Sequence, residues 1–382
     1  MERAGAGRTG RMGASRLRSM QVEGYRSIRS LAVPLGNLTV VTGGNGAGKT
    51  NFYRSLALVH AAACGTLARA IADEGGMRSV LWAGADGAGP ADSIVLEADL
   101  DGLRYALRLG IPGPNDPALA LDPMVREESV AARLGDRAPL MMQRKGPNIT
   151  ARAPDGKWQP YPNMLLMAET ALARLCDPVR FPELDALQRR FAAWRFHHGF
   201  RTDEDSAIRW PQVAICAPML DSDGRNLAAT LATALHLGDD AARRAIEAAI
   251  HAAFPGSTLT FTEAAGRHAV ALSMPGFARP FSAHEMSDGT LRYLCLVAAL
   301  CSHRHPPFIA LNEPEASLHD DLIEPLAAMI LHASTRTQLV IVTHSAKLAD
   351  LLESRGVTTR IALEKHRGAT VVAGEGEARA RA

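Results

Sequence analysis

The stretch that most limits what this chain can fold into runs from Asn37 to Phe52. A β-rich apolar run, Leu38-Thr39-Val40-Val41-Thr42, leads straight into Gly43-Gly44-Asn45-Gly46-Ala47-Gly48-Lys49-Thr50, and Asn51 to His60 then reads as helix. Strand, glycine loop and helix in that order form the P-loop pattern. Gly43, Gly46 and Gly48 allow the backbone around Asn45 to turn its N–H groups inward on a phosphate, and the helix N-terminus adds partial positive charge. Lys49 reaches the terminal phosphates, Thr50 can place its hydroxyl on Mg²⁺, and Asn51 completes the set of candidate nucleotide contacts. A flexible glycine turn with a chance lysine is the competing reading, and the correct flanks on both sides argue against it.

Around that loop, a chain of 382 residues with 47% hydrophobic and 21% charged residues can bury a large core and suggests two or three structural units. The formal charge of +2 gives no overall nucleic-acid footprint, so any DNA contact has to come from a local patch. Cys64, Cys176, Cys216, Cys295 and Cys301 are dispersed, without CxxC spacing, and read as reduced cysteines of a cytoplasmic protein. No apolar run is long enough to cross a bilayer, and residues 1–16, rich in Gly and Arg, read as a disordered tail without a targeting signal. Arginine far outnumbers lysine, which makes single arginines weak evidence for phosphate binding and gives Lys49 more weight.

Residues 17–36 alternate in part and read as a strand or hairpin at the edge of the nucleotide site. Tyr25, Arg26 and Ser27 are close enough in the chain to fold back over it, as base or ribose contacts or, equally, as a strand-end tyrosine and a solvated arginine. Ser93 to Leu100 and Leu103 to Ile111 alternate around Asp101-Gly102, a hairpin signal. From Pro112 to Pro162 prolines and glycines recur, predicting an irregular stretch with short strands, and Asn163 to Cys176 returns to a helical pattern. Between Leu187 and Arg201 aromatics interleave with arginines; such a mixture either stacks bases and holds phosphates or, more often, buries its rings while the arginines pair or snorkel. Leu227 to Leu237 and Asp240 to Phe254 read as scaffold helices, and Ser257 to Thr262 and His268 to Met274 as a strand pair.

The last hundred residues supply the rest of a site. Phe308 to Leu311 is a short buried-strand run delivering Asn312-Glu313-Pro314-Glu315-Ala316-Ser317-Leu318-His319, and an apolar strand ending in acids is where P-loop enzymes handle metal and water. Glu313 is the candidate that positions or deprotonates that water. Ser287 is suited to N-cap an apolar helix from Leu291 to Cys301, and Ser287 with Gly289 at a helix N-terminus forms an anion site. Leu339 to Val342 is a further strand ending in Thr343-His344-Ser345, where His344 can donate to a γ-phosphate.

P-loop, SDGT, NEPExSLH and THS in this order resemble the ABC-type ATPase superfamily, in the branch that includes RecF, SMC-like and OLD-like ATPases. The resemblance implies an α/β P-loop NTPase head with a mixed central sheet, an N-terminal antiparallel β subdomain and a helical insertion. It divides the chain into an N-terminal ATPase lobe over 17–111, an irregular and helical insertion over 112–256 and a C-terminal lobe over 257–382. It further implies ATP and Mg²⁺ as cofactors and an ATP-dependent homodimer in which Ser287 and Gly289 of one subunit touch the γ-phosphate bound to Lys49 of the other. Ser317, Leu318 and His319 match the loop that crosses such an interface, and His344 the switch histidine. Residues 51–286, between loop and signature, exceed a transporter subunit's need and are too proline-rich for SMC arms, so RecF or the ATPase half of OLD-like proteins is the nearer match. Residues 346–382 leave no room for the OLD-like nuclease domain. Asn312 stands where the superfamily has its metal-coordinating aspartate, which predicts weaker metal binding and slow turnover. Gln143 and Gln159 are the candidates for the glutamine linking ATP to the partner domain. The expected role is ATP hydrolysis coupled to DNA or a DNA-processing partner in repair, maintenance or defence, with a slow nucleotide switch or scaffold as the alternative and a transporter subunit a distant third.

Overall fold

The computed structural model describes residues 16–85, 89–113, 121–133, 138–161 and 165–374. The predicted N-terminal tail lies, apart from Arg16, outside the described residues. The strands, numbered in chain order, form three sheets. The first is antiparallel and eight-stranded, built from β1 (Leu17–Tyr25), β2 (Ile28–Pro34), β4 (Ser93–Leu100), β5 (Leu103–Gly110), β6 (Met124–Ala132), β7 (Leu140–Lys145), β8 (Asn148–Arg152) and β9 (Trp158–Tyr161), in the order β2-β1-β4-β5-β6-β7-β8-β9. The second has β3 (Leu38–Gly43), β10 (Arg195–His197), β15 (Phe308–Asn312), β16 (Gln338–Val342), β17 (Thr359–His366) and β18 (Ala369–Val372), in the order β10-β15-β16-β3-β17-β18. It is mixed: parallel throughout except for the antiparallel β18. A small third sheet holds β11 (Gln212–Val213), β12 (Thr258–Ala264), β13 (Arg267–Ser273) and β14 (Phe281–Ser282).

The helices are α1 (Lys49–Cys64), α2 (Leu67–Asp73), α3 (Met77–Val80), α4 (Ala171–Arg174), α5 (Pro182–Ala192), α6 (Leu227–Leu237), α7 (Asp240–Ala253), α8 (Asp288–Leu300), α9 (Ile323–Ser334) and α10 (Ala346–Arg355). Every residue of β15 and β16 is buried, as a parallel strand covered on both faces requires. Alternate residues feed two cores. Val340 and Val342 pack with the antiparallel sheet, α1 and α5, whereas Leu339 and Ile341 pack with α6 to α9. No helix of the described residues is long and apolar enough to cross a membrane.

One sequence expectation is extended, one is corrected and one is met in its favoured form. Residues 112–162 are not merely irregular: β6 to β9 continue the first sheet, joined to β5 along the whole length of β6. Their alternation is masked because two inward positions are charged. Glu128 and Arg144 face each other across β6 and β7, and both are buried. Glu128 accepts from Ala171 N–H at 2.6 Å, Leu172 N–H at 2.9 Å and the Tyr105 hydroxyl at 3.1 Å. The helix expected over 163–176 shrinks to α4, because Val125 N–H donates to the Met167 carbonyl and Arg144 bonds the carbonyls of Leu166 and Glu169, which spends that backbone on the sheet. The Arg and aromatic segment builds core rather than a base-stacking surface. Phe191 and Trp194 meet edge to face at 4.7 Å, Trp194 packs on Phe308 at 4.5 Å, and all three rings are buried.

Candidate functional site

β3 sits between β16 and β17, so three strands from distant parts of the sequence end side by side at the P-loop. Gly46 takes a φ of 75° and a Cβ there would meet nothing within 4 Å, leaving an open concavity above the loop. Gly48 is the opposite case. At φ 98° its absent Cβ would fall 2.0 Å from Thr370 Oγ1 and 2.9 Å from Ser27 Oγ, so only glycine lets the loop press against the β17–β18 hairpin. Gly48 N-caps α1 with no side-chain cap and no acid in the first turn, which leaves the helix's first N–H groups available to an anion.

Lys49 is 3% exposed. Its ammonium donates to the carbonyls of Gly43 at 2.7 Å and Gly44 at 2.8 Å and lies 3.2 Å from His344 Nδ1. An ammonium has no acceptor capacity, so Nδ1 must be the acceptor and the neutral ring carries its proton on Nε2. Nε2 is 3.0 Å from Glu313 Oε1, and that N–H donates to it. One tautomer thus satisfies a relay from Lys49 at the start of α1 through His344, after β16, to Glu313, after β15. Burial pulls the Lys49 pKa down, and the carboxylates of Glu313 and Glu315 oppose that shift.

Glu313 is held in a left-handed conformation at φ 49°, which costs a non-glycine residue about 1–3 kcal/mol. Its N–H donates to the Val342 carbonyl at 2.7 Å, and its own carbonyl accepts from Arg292 of α8 at 3.4 Å. Burial lowers the Arg292 pKa against the opposing influence of Cys295, Glu315 and Glu313. Asn312 ends β15 almost fully buried, and its Oδ1 has no hydrogen-bond partner. Thr50 is half-buried on the first turn of α1. No group of three or more His, Cys, Asp or Glu among the described residues is suited to hold a metal. A hydroxyl and a free amide oxygen fit Mg²⁺ that arrives with phosphates and keeps its waters, as is usual for that ion.

Other predicted contacts are engaged elsewhere. Tyr25 is buried and its hydroxyl donates to Glu74 at 2.7 Å, so it does not face a nucleotide. Arg26 pairs with the same carboxylate at 2.7 Å. Asn51 donates to Ser27 Oγ at 2.7 Å, tying α1 to the β1–β2 turn. Gln143 and Gln159 lie on β7 and β9, towards the end of the first sheet opposite β2.

The second half of the site is the start of α8. Ser287 is its N-cap, with Oγ accepting from Thr290 N–H at 3.2 Å, and it is exposed. A Cβ on Gly289 would lie 2.8 Å from the Ser317 carbonyl oxygen, so the signature turn and the Ser317 loop touch. The loop before α8 is organised by Arg209, a residue that sequence reasoning missed. Its guanidinium donates to the carbonyls of Ala283 at 3.3 Å, His284 at 3.2 Å, Met286 at 2.9 Å and Thr202 at 2.8 Å, and pairs with Asp288 at 2.6 Å. Little in the local sequence marks it, since four of its five partners lie more than seventy residues downstream. Glu315, visible in NEPExSLH but given no role there, accepts three hydrogen bonds from the Thr343–Ser345 turn.

Residues 231–350 match a family model described as "AAA domain, putative AbiEii toxin, Type IV TA system". No curated protein matches the sequence. Among solved structures, an Smc head bound to the C-winged helix domain of ScpA aligns with a TM-score of 0.54 at 14% identity, covering 93% of this chain and 97% of that one. The fold is that of an SMC-type ATPase head. An Smc head with an extended coiled coil, bound to the C-terminal domain of ScpA and derived from Pyrococcus furiosus, gives a TM-score of 0.51 at 13% identity over 94% and 96% of the two chains. No described helix of this chain exceeds the 16 residues of α1, so the described residues carry no arm comparable to that coiled coil.

Proposed function

We propose that the chain binds ATP with Mg²⁺ at the P-loop and hydrolyses it, two copies closing on the nucleotide. The observation that carries this reading is the Lys49–His344–Glu313 relay, which puts a phosphate-binding ammonium, a hydrogen-bond donor and a carboxylate within contact distance at the mouth of an uncapped helix. On binding, Lys49 exchanges its two glycine carbonyls for phosphate oxygens, and the α1 N–H groups hold the remaining charge. His344 can donate to the terminal phosphate by turning its Nε2–H away from Glu313, which leaves that carboxylate free to orient the attacking water and take its proton. Thr50 and Asn312 would hold Mg²⁺, which would supply charge neutralisation at the phosphates. Ser287 and Gly289 close the site from a second copy.

The order and spacing of the motifs favour a relative of RecF or of the ATPase half of OLD-like proteins, acting in the cytoplasm on DNA or with a DNA-processing partner in repair, maintenance or defence. That coupling now rests on the resemblance, because Phe191, Trp194 and Phe200 of the Arg and aromatic segment are buried in the core. The unpartnered Asn312 amide favours a second reading, a switch that binds ATP, turns over slowly and scaffolds a separate effector.

The deciding experiment compares Lys49→Ala with Glu313→Gln by calorimetry and sizing. Lys49→Ala should abolish ATP binding, and Glu313→Gln should bind ATP and accumulate as a dimer. Equal loss of binding in both would end the division of roles.

A further inference from the structure

The carboxylate of Glu315 has an unusual pattern of contacts. Oε1 accepts from the Thr343 hydroxyl at 2.5 Å, His344 N–H at 3.0 Å and Ser345 N–H at 3.1 Å. Oε2 is buried and meets no donor. One oxygen is therefore filled by the turn that follows β16, and the other is closed off from solvent. Oε1, with three donors on it, has no lone pair left for a general base or a metal ligand. What it does is join two strand ends. Glu315 sits in the turn after β15, where Ala316 N–H bonds the Glu313 carbonyl at 3.0 Å and Leu318 N–H bonds its own carbonyl at 3.0 Å. Across the gap it grips the residues before, at and after His344.

We propose that Glu315 is a positioning residue that sets the His344 ring between Glu313 and Lys49. A backbone grip at the histidine itself limits the freedom of its Cα–Cβ axis, and the ring must meet Nζ on one side and a carboxylate on the other within about a few tenths of an ångström to keep both bonds. The same carboxylate holds the Ser345 N–H just ahead of α10, whose N-cap Ser345 accepts from Leu348 N–H at 3.1 Å, so the grip is anchored in regular structure on both sides. The role in turnover rests on the ATPase reading above; the placement of the ring does not.

The test uses the full chain with Glu315→Ala, Glu315→Gln, His344→Ala and the Glu315→Ala/His344→Ala pair. The amide oxygen of glutamine accepts the same three donors, so Glu315→Gln should keep kcat within about fivefold of the parent, the difference between a charged and a neutral acceptor. Glu315→Ala should lower kcat about 10–100-fold with ATP affinity nearly unchanged, a loss confined to the chemical step. The double variant should be no slower than His344→Ala alone, because the carboxylate acts through the ring. In nucleotide-free protein, modification of His344 by diethylpyrocarbonate, read by peptide mass spectrometry, should rise severalfold in Glu315→Ala and not in Glu315→Gln. Glutamine as damaging as alanine, or additive losses in the double variant, would show that the charge itself is used and overturn the proposal. If the parent shows no ATPase activity the functional reading fails on its own, and the His344 labelling still decides: unchanged labelling in Glu315→Ala sinks the positioning role.

Discussion

The two halves of the candidate site are built on opposite plans. The P-loop half is wired shut without ligand: the lysine is folded onto its own loop, its histidine bridges it to Glu313, and Glu315 fixes the turn. The signature half is an exposed helix start whose serine satisfies one amide and whose loop is held by Arg209 and by the Arg279–Glu285 pair. The first half is tied together by its own side chains yet keeps two buried oxygens without a partner and a helix start without a side-chain cap, whereas the second is one capped, exposed helix start. On the proposed function, the first half recognises the nucleotide and the second senses that it is bound.

The largest effect should come from the wired half. Glu313→Gln should lower kcat about 10²–10⁴-fold, the usual weight of a general base, in a steady-state phosphate-release assay. Next comes Arg209→Ala, which strands three loop carbonyls and Asp288. ATP-dependent self-association by analytical ultracentrifugation should weaken about 100-fold while monomer ATP affinity stays near that of the parent, as expected for about 3 kcal/mol of lost hydrogen bonding. Loss of ATP affinity in that variant would break the separation of the halves. Gly289→Ala drives a methyl at the Ser317 carbonyl and should weaken self-association about tenfold, a cost in the range of local overpacking. Smallest is Asn312→Asp, which restores one negative charge at the metal and should lower the Mg²⁺ concentration for half-maximal turnover about fivefold, or roughly 1 kcal/mol. No change would mean that the metal is held otherwise.

The wired half was largely legible in the sequence because its parts sit at strand ends, where short apolar runs and a following polar residue are easily read. Gly46, Lys49, Ser287, Asn312, Glu313 and His344 all fall where those runs end or helices begin. The parts that escaped are held by long-range polar contacts. Arg209 and Arg292 acquire their partners only through folding, and Glu315 looks like a second acid in an acidic turn until its three donors arrive from β16. The first sheet was hidden for a related reason. Glu128 and Arg144 occupy inward positions of β6 and β7, so a pattern search reads polar residues where the structure buries a carboxylate held by two amides and a tyrosine and a guanidinium held by carbonyls. Propriety of the hairpin at Asp101-Gly102, by contrast, needed only neighbours in the chain.

The place of β3 between β16 and β17 bears on how the molecule is made. The strand that carries the glycine loop is synthesised early, yet its two neighbours in the sheet begin at Gln338 and Thr359. On the ribosome, residues 38–48 must wait, unpaired on both edges, while some three hundred residues of other structure emerge. A nascent chain paused before Thr359 should therefore fail to retain ATP-agarose, however complete its glycine loop.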